Sequence, residues 1–265
     1  MRKIVQAMKL YKHYISITIR CMMQYKVSFF LSTAAQFIVS FSVFLGIYFM
    51  FQRFSKVEGF TYSEVLVCFS AILMEFSLAE MFARGFDAFS GIVRSGEFDR
   101  IMVRPQNEMI QVLGSKFEFT RIGRLIQAIV IFIYGILNSE IIWSLPKVLT
   151  IIFMIIGGVV VFSSLFLISA AFCFFTLDGL EFMNVFTDGA REFGKYPLGI
   201  YGKKMLLFTT FAIPYALIQY YPLLYVLGYR NDWYFIFLPL LSCWFFIPAL
   251  VFWKWGVKHY KSNGS

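Results

Sequence analysis

Long apolar runs separated by shorter polar stretches set the rhythm of this chain. An α-helix rises about 1.5 Å per residue, so about 20 apolar residues cross a hydrocarbon core of about 30 Å. Six runs come close to that length, at 27–51, 61–83, 125–142, 148–176, 204–221 and 233–253. They predict an all-α integral membrane fold with six transmembrane helices. Residues 1–26 differ. Ile4, Met8, Tyr11, Ile15, Ile19 and Met22 recur at steps of three or four, with Lys9, Lys12, Ser16 and Arg20 on the other side. That pattern predicts an amphipathic helix lying in the membrane interface, the alternative being a solvated helix packed on a partner. Segment 222–229 is apolar but too short to cross, and reads as a re-entrant or interfacial turn on the outer side.

Small residues mark close helix approaches in lipid. In the first span Ser28, Ser32, Ala35, Ser42 and Gly46 share one side, open either to a second copy or to packing within the chain. In the fourth, Gly157, Ser164 and Ala171 repeat every seven residues. Pro214 in span five, and Pro239 and Pro248 in span six, each free a carbonyl and bend the helix, which makes them candidate hinges.

Composition agrees with lipid as the solvent. Only 15% of residues are charged and 59% are hydrophobic, too few and too many for a soluble domain of this length. The net charge of +9 raises nucleic acid as a partner, but the cations flank apolar spans instead of lining one basic face, so none is expected. Of the 24 Lys and Arg, only Arg53, Lys56, Lys147 and Arg230 fall on the side opposite the N-terminus. This asymmetry predicts an even number of crossings with both termini in the cytoplasm. Cations recurring through the first 26 residues also argue against a secretory signal there. The chain reads as one membrane domain over 1–265, with the interfacial helix at 1–26 and a cytoplasmic loop at 84–124.

Candidate chemistry is sparse. Cys21, Cys68, Cys173 and Cys243 form no CxxC pair and read as packing residues, so neither a disulfide framework nor a metal site is expected. His13 and His259 stand near opposite ends. Residues 189–195 match the first seven positions of a phosphate-binding loop, but Tyr196 stands where Ser or Thr must hold magnesium. No enzyme activity is expected of the chain, and no cofactor bound to it. Span two carries Glu64, Glu75 and Glu80, and a charge at the bilayer centre costs at least about 2.5 kcal/mol. Glu75, the deepest, reads equally as part of a polar pathway or as a protonated or paired packing residue. The alternative for Glu64 and Glu80 is that they reach the two interfaces.

The loop 84–124 mixes apolar and charged residues too richly for a simple connection. Phe98, Ile101 and Met102 beside Asp99 and Arg100 suggest a short helix presenting an apolar edge and a charged rim to a partner, or else resting on lipid. Here the sequence resembles a known family. Gly96-Glu97-Phe98-Asp99, followed by Arg104-Pro105, is similar to the GxLDxxLxRP signature of ABC-2-type permeases with six spans and no large outer domain. Phe98 replaces the usual Leu and Met102 stands at the later one. Tyr196-Pro197, Ile213-Pro214, Tyr221-Pro222 and Gly228 resemble that family's fifth-span region.

The resemblance implies a membrane-spanning exporter subunit, driven by ATP and Mg bound on a separate ABC ATP-binding subunit. It also implies a homodimer or heterodimer with a second permease in a prokaryotic plasma (inner) membrane. Gly96, Phe98, Asp99, Arg100, Ile101, Arg104 and Pro105 would form the ATPase-coupling helix. An ion-gradient-driven secondary transporter using Glu75 is the alternative, and a lipid-modifying enzyme and a membrane scaffold are further ones.

Overall fold

The computed structural model describes residues 2–176 and 180–262, with side chains from residue 5 onward, so Ile4 of the predicted apolar face lies outside the described side chains. Among the described residues the chain is helical, apart from connecting turns and one isolated bridge between Val57 and Phe60. The interfacial segment forms α1 (Arg2–Gln24), and a break at Tyr25 separates it from α2 (Lys26–Arg53), the first span. Span two is α3 (Tyr62–Asp87), continued by α4 (Phe89–Arg94). The short helices α5 (Glu97–Met102) and α6 (Glu108–Leu113) follow, then spans α7 (Ile122–Leu137) and α8 (Leu145–Thr176). Two short helices, α9 (Met183–Phe186) and α10 (Asp188–Phe193), lead to α11 (Gly202–Phe211), a π-helical turn at Ala216–Tyr220 and α12 (Tyr221–Leu227). The last span comprises α13 (Leu238–Ser242), a 3-10 turn and α14 (Phe246–His259).

Five helical stretches are long and apolar enough to cross a membrane, and a sixth counts if the pair Leu198–Phe211 and Ala216–Leu227 is one broken span. That pair is bent by 101°, so the proline-bent span expected at 204–221 is broken into two arms, the second running on to Leu227. Most of segment 222–229 is helical and belongs to the second arm of this pair. Pro222 sits in the first turn of α12, where its missing N–H costs nothing, and the chain turns only at Gly228, whose φ of 85° suits glycine. Span two runs past its expected end at 83, and span three stops at Leu137, short of 142.

Burial follows polarity. The second span carries the acidic residues and is the hub of the bundle, with α7 on one side and α8 on another; 89% of its apolar window is buried. The first span carries no acid and lies at the rim, with 11% buried. Lipid accepts the side chains of α2 and would not accept those of α3, so α3 goes inside. The Gly157, Ser164 and Ala171 stripe of α8 is buried, and a Cβ on Gly157 would lie 2.4 Å from the Pro239 carbonyl oxygen. On α2 the outcome is the reverse. Ser28, Ser32, Ala35, Ser42 and Gly46 are all exposed, so that side packs on nothing within the chain. In α1, Tyr11, Tyr14 and Ile15 are half-buried against the protein while Met8 and Ile19 stay exposed.

Each of the three candidate hinge prolines has irregular backbone just before it. A proline ring clashes with the carbonyl four residues back. Pro214 lies in the break between the two arms, Pro239 follows a 3-10 turn at Trp233–Ile236, and Pro248 follows another at Cys243–Phe245. Pro214 and Pro239 are buried, whereas Pro248 faces outward.

Candidate functional site

The loop between spans two and three is built onto the ends of the spans. Gly96, with a φ of 69°, turns the chain out of α4 and into α5. Phe98 then points inward and is fully buried. Its ring lies 5.2 Å from Phe89 of α4, 5.3 Å from Phe174 near the C-terminal end of α8, and 6.4 Å from Trp253 of α14. Tyr260, just past α14, is closest at 4.9 Å and edge-on. Edge-to-face pairs at these separations add to the burial of the rings themselves. One side chain of α5 is thereby keyed to the loop-side ends of spans two, four and six.

Asp99 is tied to the C-terminal segment, where Ser262 Oγ donates to its Oδ2 at 2.6 Å. Burial, and then the neighbouring Asp99 carboxylate, push the Tyr260 phenol above its ordinary value. On the other flank Ile101 is buried, and its carbonyl accepts from Gln111 Nε2 at 3.2 Å. The same nitrogen donates to the Gln106 carbonyl at 3.2 Å, while Arg104 Nη1 donates to Gln111 Oε1 at 3.4 Å. Gln111 thus clamps the turn between α5 and α6. The N-terminal helix closes this unit from outside. Tyr11 OH donates to the Phe82 carbonyl at 2.7 Å, and Tyr14 packs so tightly on Gly114 that a Cβ there would lie 2.5 Å from its ring.

The expected apolar edge is therefore corrected. Phe98 and Ile101 face the bundle, and the surface left outward includes Glu97, Arg100, Met102, Val103, Arg104 and Pro105, with Glu97 3.9 Å from Arg100. Val103 is 84% exposed.

Glu80 is buried instead of reaching the interface. Three guanidinium groups surround its carboxylate, with Arg124 at 2.7 Å, Arg121 at 3.1 Å and Arg84 at 3.2 Å. Arg124 Nη2 also donates to Gln36 Oε1 of α2 at 3.0 Å. The cluster fastens the first three spans together directly behind the loop. Glu64 has a different job at the far end of α3. It accepts from the Thr61 N–H at 2.7 Å, a capping interaction, and from Tyr229 OH at 3.1 Å. Glu75 is fully buried with neither carboxyl oxygen partnered among the described residues, and Gly158 makes room for it, since a Cβ there would lie 2.3 Å from the carboxyl.

A family described as ABC-2 family transporter protein matches residues 37–264. The chain belongs to the ABC-2 transporter family. No curated protein and no solved structure matches it. Membership makes it a multi-pass permease, in a family whose membrane subunits associate with an ABC ATP-binding subunit and are typically not enzymes themselves. The match omits all of α1 and the start of α2, so the place of α1 rests on its own contacts.

Elsewhere in the permease, the broken fifth span is pinned from two directions. Gln219 Nε2 donates to the carbonyls of Gly194 and Cys68, and the buried Tyr215 hydroxyl donates to the Phe186 carbonyl. The seven residues resembling a phosphate-binding loop form the end of α10 and a turn, with no strand before them among the described residues. None of the four cysteines forms a disulfide among the described residues, which hold no group of three metal-ligating side chains. Sequence reasoning did not pick out Gln111, Gln127 or Gln219. Their signal was available, because a lone amide in an apolar run needs a partner.

Proposed function

We propose that the chain is the membrane-spanning subunit of an ATP-driven exporter, moving substrate by alternating access while a separate ATPase docks on its cytoplasmic loops. The observation that carries this reading is the mounting of α5. The outward residues Glu97, Arg100 and Met102 of α5, with Val103, Arg104 and Pro105 after it, offer a compact apolar surface with a charged rim, and its inward Phe98 is wedged among the ends of α4, α8 and α14. A push on the outside of α5 reaches three spans through one aromatic cluster. ATP and Mg are held by the partner ATPase, and this chain supplies the lever.

Two copies, or this chain with a sister permease, form the pathway in a prokaryotic plasma membrane with all termini in the cytoplasm. The broken pair around Pro214 is the sixth crossing, which keeps the cation asymmetry consistent with an even number of spans. The uncovered small-residue side of α2 supports a contact between copies. Affinity purification of the full chain in mild detergent tests the reading: a P-loop ATPase co-purifies, and Asp99→Lys abolishes its permease-linked stimulation without reducing membrane insertion. Wild-type coupling in Asp99→Lys overturns the role of α5.

Glu75 supports one rival, transport driven by an ion gradient, because its carboxyl is buried and unpartnered. That rival requires transport to continue without the ATPase and to stop in Glu75→Gln.

A further inference from the structure

A cavity of about 50 Å³ lies between α2, α3, the start of α7 and α10. Arg124, Arg191, Glu192 and Lys195 supply its polar side, and Phe69 and Leu73 of α3 part of its apolar side. These charges stand at the depth of the spans. The guanidinium groups of Arg191 and Arg124 lie 5.1 Å and 5.8 Å from the centre of one ring, that of Phe76, near the middle of α3. Leu73 and Phe69 are about one and two turns further from the loop. Ionisable side chains at such depth are rare, and they mark sites and pathways more often than packing.

Two ion-pair networks meet at Phe76. In the first, Arg84, Arg121 and Arg124 hold Glu80, and Arg84 also holds Asp87. In the second, Arg191 is 3.4 Å from Asp188 and 3.1 Å from Glu192, and Lys195 pairs with Glu192. Five cations thus face four carboxylates, which leaves one positive charge in excess. In the second network the carboxylates are the outer members. The Asp188 and Glu192 side chains are 51% and 49% exposed, against 23% for Arg191 and 15% for Lys195. An uncompensated cation in a low-dielectric setting is costly, and a charge-assisted hydrogen bond to one further anion offsets that cost.

The volume limits what that anion brings inside. Pockets for whole ligands hold about 300–1,000 Å³, whereas this one has room for a single compact head such as a phosphate. The rest of the molecule must lie outside. There the α2 wall is apolar and open, with Val39 64% exposed at the cavity. A singly charged head inside and hydrocarbon chains along α2 match both halves of the site. We infer that this cavity binds the phosphodiester of an anionic lipid whose chains lie against α2. The site goes beyond the exporter reading and does not depend on it.

Native mass spectrometry of the full-length chain in an uncharged detergent tests the inference, without ATPase or ATP. The probes are dioleoylphosphatidylglycerol, dioleoylglycerol with the same chains and no phosphate, and inorganic phosphate. Phosphatidylglycerol should bind one-to-one, about tenfold more tightly than dioleoylglycerol. Lys195→Gln, which brings the networks to neutrality, should remove that preference. Glu192→Gln, which releases both cations, should strengthen it. Because one variant is expected to gain and the other to lose, a variant that merely unfolds cannot imitate the pattern. Ser40→Leu on the α2 wall fills the cavity with every charge in place and should weaken phosphatidylglycerol binding. Lys12→Gln, on the exposed side of α1, should change nothing. Equal binding of the two lipids by the wild-type chain overturns the inference. So does a loss in Lys12→Gln as large as in Lys195→Gln, since binding is then general surface charge. Displacement of the lipid by an equal concentration of inorganic phosphate overturns the lipid assignment in favour of a free anion.

Discussion

Replacing Phe98 by alanine should uncouple α5 from the spans without removing its outward surface. The phenyl ring is fully buried among four aromatic partners, at 4.9 to 6.4 Å between centroids. Truncating a buried Phe to Ala costs about 3–5 kcal/mol. Helix α5 has six residues, and its other buried apolar anchor is Ile101, so most of that loss falls on the docking of α5 and not on the whole bundle. Taking the lower figure, about 3 kcal/mol raises the population of undocked α5 by about 150-fold. Hydrogen exchange in nanodiscs reads this directly as loss of protection at amides 97–103, while the amides of α8 remain protected. Coupled ATPase stimulation should fall in parallel, although the partner still binds through Arg100, Val103 and Arg104. Phe98→Leu, which restores bulk and matches the residue common in similar permeases, should recover most of both. Wild-type protection and coupling in Phe98→Ala would refute the claim that this ring carries the load.

Two further outcomes follow from the same region. Glu80→Gln leaves three guanidinium groups around a neutral amide, and breaking a buried ion pair in this way costs about 3–5 kcal/mol; thermal unfolding in detergent should fall by several degrees, and an unchanged Tm would show that the cluster does not hold the first three spans together. The Tyr260 phenol is pushed above its ordinary value of 10.0 by burial and by Asp99. A raised pKa means that the folded protein resists losing this proton, so the contribution is intact below pH 10 and is lost as the pH climbs above it. Exchange protection of the C-terminal end of α14 should therefore weaken above pH 10 in the wild type and less so in Tyr260→Phe, and identical pH profiles would contradict this.

Much of the fold is legible in the sequence because lipid imposes a length rule on apolar runs. Spans one and four needed nothing further. The broken fifth span was harder, since its arms are short, Pro214 and Pro222 both interrupt it, and apolar content alone does not distinguish a bend of 101° from a straight helix followed by a turn. At the site, the spacing of Phe98 and Ile101 marks one side of a short helix, but their inward direction depends on Phe174, Trp253 and Tyr260, which are far away in sequence. The burial of Glu80 depends likewise on arginines from two other segments.

Cross-linking at Val103 tests the central claim most directly. In a full-length chain with its four native cysteines replaced, Val103→Cys should react with a membrane-impermeant thiol reagent only after cells are permeabilised. It should also form a cross-link to a P-loop ATPase whose yield changes with bound ATP. Labelling of Val103→Cys from outside intact cells would put α5 in the wrong compartment and contradict the account.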